Sequence, residues 1–278
     1  MGYENIKWER EGKIGLITLN RPKSLNALST GLFEELETVL AEIDASDEIQ
    51  SYIITGAPRL DGRPCFCAGA DLKQELTETR TAEQVVFDAL YAMVTRQSAT
   101  GLSGSKIALN DLGKSPKVSI AAIDGVCTAG GLELALSCDI ILVSETAQIS
   151  DLHAKNLGLI GGASSTSRLA RRVGVSKAIE ICCTGDVIDG KEAHRIGFAN
   201  QVYTPDKLIE EAKNMAGKIA SMRPAAITMA KATCYSIYDM DYNMATRFTD
   251  ACSMAIHFGE EEWREQRPDS PKKEWKLS

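Results

Sequence analysis

No two cysteines in this chain are spaced as Cys-x-x-Cys, although eight are present, and only three histidines accompany them. That leaves no zinc-ligand set. Cys65, Cys67, Cys127, Cys138, Cys182, Cys183, Cys234 and Cys252 read instead as small, mostly buried thiols in a reducing cytoplasm. Positive charge is also short: a formal net charge of -7 gives no global attraction for nucleic acid or an anionic membrane. No apolar run approaches the ~20 residues of a membrane span, and the opening MGYENIKWEREGK places charges where a signal peptide needs an apolar core. These absences lead us to expect a soluble cytoplasmic protein with a small-molecule partner.

What is present is a globular composition, 44% hydrophobic and 25% charged over 278 residues, enough to bury a substantial core. Up to about residue 200, short β-branched runs (IGLITL, SYIIT, VSIAAI, DIILVS) alternate with helical stretches such as 30–44 and 162–173, the pattern of βα units and a largely parallel sheet. From 206 to about 257 the pattern is helical. Leu208, Ala212, Met215 and Ile219 share one stripe, and a break falls at Arg223-Pro224. We therefore expect an α/β core over 1–200 and an α-helical region over 201–278.

Residues 124–140, DGVCTAGGLELALSCDI, set a glycine pair and a single glutamate inside an apolar run. Glycine is costly in a regular element, so Gly130 and Gly131 signal a special backbone or a close approach. A carboxylate among Leu132, Leu134, Ala135 and Leu136 must be paired, neutralised or used. Gly130 lies between a strand and a helix, and Gly69 in CFCAGADL follows another short apolar stretch. Backbone N–H groups from two such loops are what a developing oxyanion requires, with Glu133 above the reacting carbons as acid or base. Glu133 also reads as a buried structural carboxylate.

Four fragments, TLNRPKSLNAL, FCAGADL, DGVCTAGGLELALSCDI and GDVIDGKEAHRIGFANQVY, in this order and separation, resemble the enoyl-CoA hydratase/isomerase (crotonase) superfamily from about residue 3 to 235. The resemblance implies a spiral of ββα repeats with a helical C-terminal region, assembled as a homotrimer or a dimer of trimers. It also implies an acyl-CoA thioester substrate, with coenzyme A as part of that substrate and no other cofactor. Position by position it puts the oxyanion donors at the N–H groups of Cys67 and Gly130 and the first catalytic glutamate at Glu133. Arg21, Lys23, Leu25, Ala70, Asp71 and Lys73 fall along the coenzyme A. One branch of the superfamily binds RNA, which the acidic balance and the lack of a Lys/Arg comb argue against.

The sequence departs from the family pattern twice. Where hydratases of the family carry a second glutamate, this chain reads ISDLHAKNLGLIGGASSTSRL. With an extra residue placed near Asn156, His153 takes that position; without it, Ala154 does. His153 and Asp151 are the candidate replacements, since either can hold a water or move a proton. The bland readings are a surface histidine and a helix cap or turn. The stretch between Asp71 and Pro116 is also longer than in a typical relative. Its centre at 97–106 reads as a lid hinged at Gly101 and Gly104, with Tyr91, Met93 and Leu102 as apolar lining. The resulting expectation is an enoyl-CoA hydratase-like lyase. The alternative is an isomerase, or a hydrolase acting on a cyclic or 3-oxo acyl-CoA.

Overall fold

The computed structural model describes residues 2–75, 115–162 and 165–258. Tyr91, Met93, Leu102 and the expected lid at 97–106 lie outside these residues. The chain divides into two compact units, Met1–Ala220 and Ser221–Ser278.

The first unit is built by repetition. β1 (Ile6–Glu11) and β2 (Ile14–Leu19) form an antiparallel hairpin with Ile6 opposite Leu19. Helix α1 (Thr30–Ala45), capped by the Ser29 hydroxyl accepting from Leu32 N–H, then carries the chain across to β3 (Ser51–Gly56), parallel to β2. From here strands come in pairs. β3 is followed by β4 (Cys65–Cys67), β5 (Val118–Ile123) by β6 (Val126–Thr128), and β7 (Ile140–Ser144) by β8 (Gln148–Ser150). The first of each pair enters a six-stranded sheet, β1-β2-β3-β5-β7-β9, closed by β9 (Gln201–Tyr203). The second enters a parallel three-stranded sheet, β4-β6-β8. The run VSIAAI is β5, and after Asp124-Gly125 the chain continues directly into β6, so that this segment serves both sheets.

Every residue of β5 is buried, as are the first four of β3. Both faces of the large sheet are covered, which is why these strands read as continuous apolar runs without alternation. One face packs on α1 through Leu32, Leu36, Val39 and Ile43, and on α3 (Gly130–Ser137) through Leu132, Leu134 and Ala135. The other face, with Leu16, Ile53, Ile120 and Leu142, meets α7 (Leu208–Ala220) along Leu208, Ala212 and Ala216. Met215 and Ile219, expected on that stripe, flank it partly buried.

The short helix α2 (Leu72–Glu75) follows β4. A π-helical turn at His153–Leu157 leads toward α4 (Ser165–Val173), α5 (Val175–Thr184) and α6 (Gly190–Arg195). The second unit contains α8 (Pro224–Ser236) and α9 (Tyr242–Phe258), separated from α7 by the break that Arg223-Pro224 imposes. Of the elements grouped with the helical region when the sequence is divided at 200, β9 is a strand of the large sheet and α7 packs on that sheet, both in the first unit. Among the described residues no helix is long and apolar enough to cross a membrane.

Candidate active site

The carboxyl ends of β4 and β6 lie side by side in the small sheet and deliver two unusual backbones to one place. After β6, Ala129 caps α3 with φ 49° and ψ -119°, a conformation that costs a non-glycine residue on the order of 1–3 kcal/mol. After β4, Gly69 adopts φ +113°. The two loops touch. A Cβ on Gly69 would stand 3.1 Å from the Ala129 Cβ and 3.3 Å from the Gly130 nitrogen, and a Cβ on Gly130 would stand 3.2 Å from the Ala70 nitrogen.

The direction of the Ala70 N–H follows from the peptide that carries it. Leu28 N–H donates to the Gly69 carbonyl at 2.8 Å, and Asp71 N–H donates back to the Leu28 carbonyl at 2.9 Å. In a trans peptide the C=O and N–H point opposite ways, so the Ala70 N–H points away from the Leu28 backbone, and Gly130 is its near neighbour. Gly130 opens α3, where first-turn N–H groups have no intrahelical acceptor. The Ala70 N–H and the opening N–H of α3 thus lie close together.

This geometry corrects the assignment of the first donor to Cys67. Cys67 is the last residue of β4, paired in the sheet with Cys127 of β6, its side chain fully buried. Its carbonyl lies under α3, 2.2 Å from where a Gly131 Cβ would be. The N–H that stands opposite Gly130 is that of Ala70, which the sequence placed among the coenzyme A contacts. The same contact explains Gly131. Gly131→Ala is expected to lift α3 off β4, lower stability by about 1–3 kcal/mol in urea unfolding and reduce turnover. Gly130→Ala, whose Cβ would meet nothing closer than 3.2 Å, is expected to be the milder change in stability.

Glu133 follows one turn into α3, its N–H on the Ala129 carbonyl at 3.0 Å. Its carboxylate faces His153, with Oε1 to Nε2 at 3.4 Å. On the far side of the ring, Nδ1 meets Asp151 Oδ1 at 2.7 Å, and the same oxygen accepts the His153 backbone N–H at 3.0 Å. Glu133, His153 and Asp151 thus form one line, with side chains only 14%, 9% and 3% exposed. The π turn makes this possible. Gly158 N–H is shared between the carbonyls of Ala154 and His153, so one extra residue is absorbed and His153, rather than Ala154, turns toward Glu133.

Burial pushes the Glu133 carboxyl above the usual range, against the pull of His153 and of the Gly162 N–H that it accepts. The Asp151 hydrogen bond raises His153, with Glu133 assisting, and together they outweigh the burial that opposes it. Burial alone would raise Asp151, but the two hydrogen bonds from His153 bring it below the usual carboxylate range. A carboxyl raised beside an imidazole raised is a pair suited to exchanging one proton.

The expected coenzyme A contacts divide into two groups. Arg21 and Asp71 hold each other at 2.8 Å, and Arg21 Nη1 also donates to the Ala27 carbonyl. They brace the loop after β2 against the loop after β4. Lys23 and Lys73 are exposed, while Leu25, at φ 54°, gives its carbonyl to Ala68 N–H. The sequence reading overlooked Asn26. Fully buried beside Leu25, it donates to the carbonyls of Ala57 and Cys65 at 2.8 and 2.9 Å and accepts Arg21 N–H. A polar residue between Leu25 and Ala27-Leu28 was the available signal.

A family model described as enoyl-CoA hydratase/isomerase matches residues 9–266. A probable mitochondrial enoyl-CoA hydratase of Dictyostelium discoideum is 37% identical over 240 residues, covering 86% of this chain and 78% of its own. The solved enoyl-CoA hydratase of Bacillus anthracis is 31% identical with a TM-score of 0.79, over 95% of this chain and 97% of its own. A putative enoyl-CoA hydratase of Thermobifida fusca, solved in complex with CoA, is 25% identical with a TM-score of 0.75, over 93% and 95%. The paired strands, the two facing N–H groups and a family match over nearly the whole length converge: this chain belongs to the enoyl-CoA hydratase/isomerase family.

Proposed function

We propose that the protein is an enoyl-CoA hydratase that adds water across an α,β-unsaturated acyl-CoA, with a histidine where a second carboxylate would be expected. The observation that carries the reading is the line of Glu133, His153 and Asp151 one helical turn from the facing N–H groups of Ala70 and Gly130. Those two donors bind the thioester oxygen and stabilise the charge that gathers on it as C3 is attacked, a stabilisation that fixed dipoles supply without reorganising. The Glu133 carboxylate takes a proton from water while the water oxygen bonds to C3. The double-bond electrons move onto the thioester oxygen as an enolate, and protonated His153 then gives its Nε2 proton to C2 as the carbonyl reforms. Glu133 is left neutral and His153 neutral. Proton return from Oε1 to Nε2 across the 3.4 Å gap restores both. Asp151 holds the ring in the tautomer and orientation this requires.

Lys23, Lys73 and the backbone near Leu25 and Ala70 lie along the coenzyme A, with the Arg21–Asp71 pair fixing the rim between them; the CoA complex of the Thermobifida fusca relative supports that ligand. The fully free cysteines fit a cytoplasmic home. Assembly as a homotrimer or dimer of trimers fits the apolar side chains exposed on the second unit, Ile237, Tyr242 and Met254 among them.

Incubation with linear, branched, aromatic and alicyclic enoyl-CoAs, followed by mass spectrometry, is expected to show gain of one water on at least one class. Release of free coenzyme A, or a shifted double bond with no change in mass, would overturn the assignment.

A further inference from the structure

We infer that the Cys67 side chain is a positioning residue of the oxyanion hole, its sulfur accepting the Gly69 N–H and so fixing the loop from which Ala70 donates. The inference rests on the reading of Ala70 and Gly130 as the thioester-binding pair. Gly69 N lies 3.5 Å from Cys67 Sγ, and the thiol in turn lies 3.9 Å from the Gly69 carbonyl. This two-residue link is the sulfur counterpart of the side-chain turns that serine and aspartate make with the backbone two residues on.

Its consequence follows from which peptides it holds. Gly69, at φ +113°, joins two peptide planes. The second carries the Ala70 N–H and is anchored by Leu28 N–H on the Gly69 carbonyl at 2.8 Å. The first is held at its Ala68 carbonyl by the Thr128 hydroxyl, which donates at 3.1 Å, and its Gly69 N–H goes to sulfur. Without that acceptor the first plane is held at its carbonyl end only, next to the residue with the least steric restraint in the loop. Full burial keeps the group a thiol, its pKa pushed up to about 12, so it offers the backbone a neutral acceptor and no nucleophile. Gly131 packs directly over the Cys67 carbonyl, which ties the same residue to α3 and hence to the second donor.

The test compares Cys67→Ser, which keeps an acceptor, with Cys67→Ala, which removes it. Difference infrared spectra of bound [1-13C]butyryl-CoA, a thioester with no double bond to hydrate, read the hydrogen bonding at the carbonyl. Steady-state kinetics with crotonyl-CoA read the transition state. Wild type and Cys67→Ser are expected to shift the carbonyl band to lower frequency and to turn over alike. In Cys67→Ala the band should return part of the way toward free thioester. Its kcat should fall ~10-fold with KM little changed, less than the ~10²–10³ that loss of a whole donor costs. If Cys67→Ala does not fold, Cys67→Val, which leaves no cavity and lacks an acceptor, takes its place. A wild-type band and rate in the acceptor-free variant, or equal losses in Cys67→Ser and Cys67→Ala, would overturn the inference. Absence of any shift in the wild-type enzyme would instead overturn the oxyanion-hole reading, and this inference with it.

Discussion

Glu133→Gln is expected to lower turnover of an accepted enoyl-CoA by at least ~10²-fold while leaving acyl-CoA binding nearly intact. The substitution keeps the volume and the Gly162 N–H contact of the side chain but removes its ability to take a proton from water, and general acid–base terms are typically of that size. Because Glu133 is mostly buried and faces His153, the change also removes a negative charge that favours the imidazolium, so the pH profile should move as well as shrink. Isothermal titration with a saturated acyl-CoA and stopped assays with the enoyl-CoA separate the two effects. Full turnover in the variant would remove Glu133 from the chemistry.

His153→Ala is expected to cost a comparable factor, ~10²-fold, and to erase one limb of the pH profile. The sign of each limb follows from the form each group must take. Glu133 acts as a carboxylate, so the wild-type rate falls at low pH as it gains a proton, and this limb lies above the ordinary carboxylate range because burial raises the group. His153 acts as an imidazolium, so the rate falls at high pH as it loses a proton. This limb lies above the value of a free imidazole because Asp151, helped by Glu133, outweighs burial. Removing the imidazole deletes the alkaline limb. It also moves the acid limb to higher pH, since Glu133 loses the cation that opposed its rise. Asp151→Asn keeps the ring but withdraws the charge that holds it protonated, so the alkaline limb should shift toward acid and remain visible. A His153→Ala enzyme with the wild-type rate and profile would leave Glu133 as the only proton-moving side chain of the site.

How much of this was legible beforehand depends on the kind of signal. The strands of the large sheet were readable because both of their faces are buried, which writes β-branched runs such as VSIAAI directly into the sequence. The helix α1 and the break at Arg223-Pro224 follow local rules of helix periodicity and proline stereochemistry. The second sheet was less visible, because strands of three residues are too short to show a period. Glu133 betrayed itself by being charged among leucines, and the histidine replacement by its place in a segment where an acid was expected. The choice between Cys67 and Ala70 was not readable. Both lie in the seven residues FCAGADL, and only the direction of a peptide plane, set by the distant Leu28, separates them. The one-residue slip that brings His153 into line likewise needed the π turn, since propensity does not distinguish five helical residues wound at one pitch from five wound at another.

The three-stranded sheet has a consequence for how such a site can vary. The two donors that we propose for the thioester oxygen are main-chain atoms in the loops that follow its strands β4 and β6. Main-chain dipoles survive almost any replacement of side chain. A substitution can tilt or crowd them, as at Cys67 or Gly131, and only proline, which has no backbone N–H, deletes one. The groups that move protons are side chains on α3 and on the turn after β8, and each can be exchanged one at a time. The capacity to hold an enolate is thus fixed by architecture, whereas what happens to that enolate is decided by two or three replaceable residues. In this chain one of those replaceable positions is occupied by a histidine whose charge depends on the pH around it.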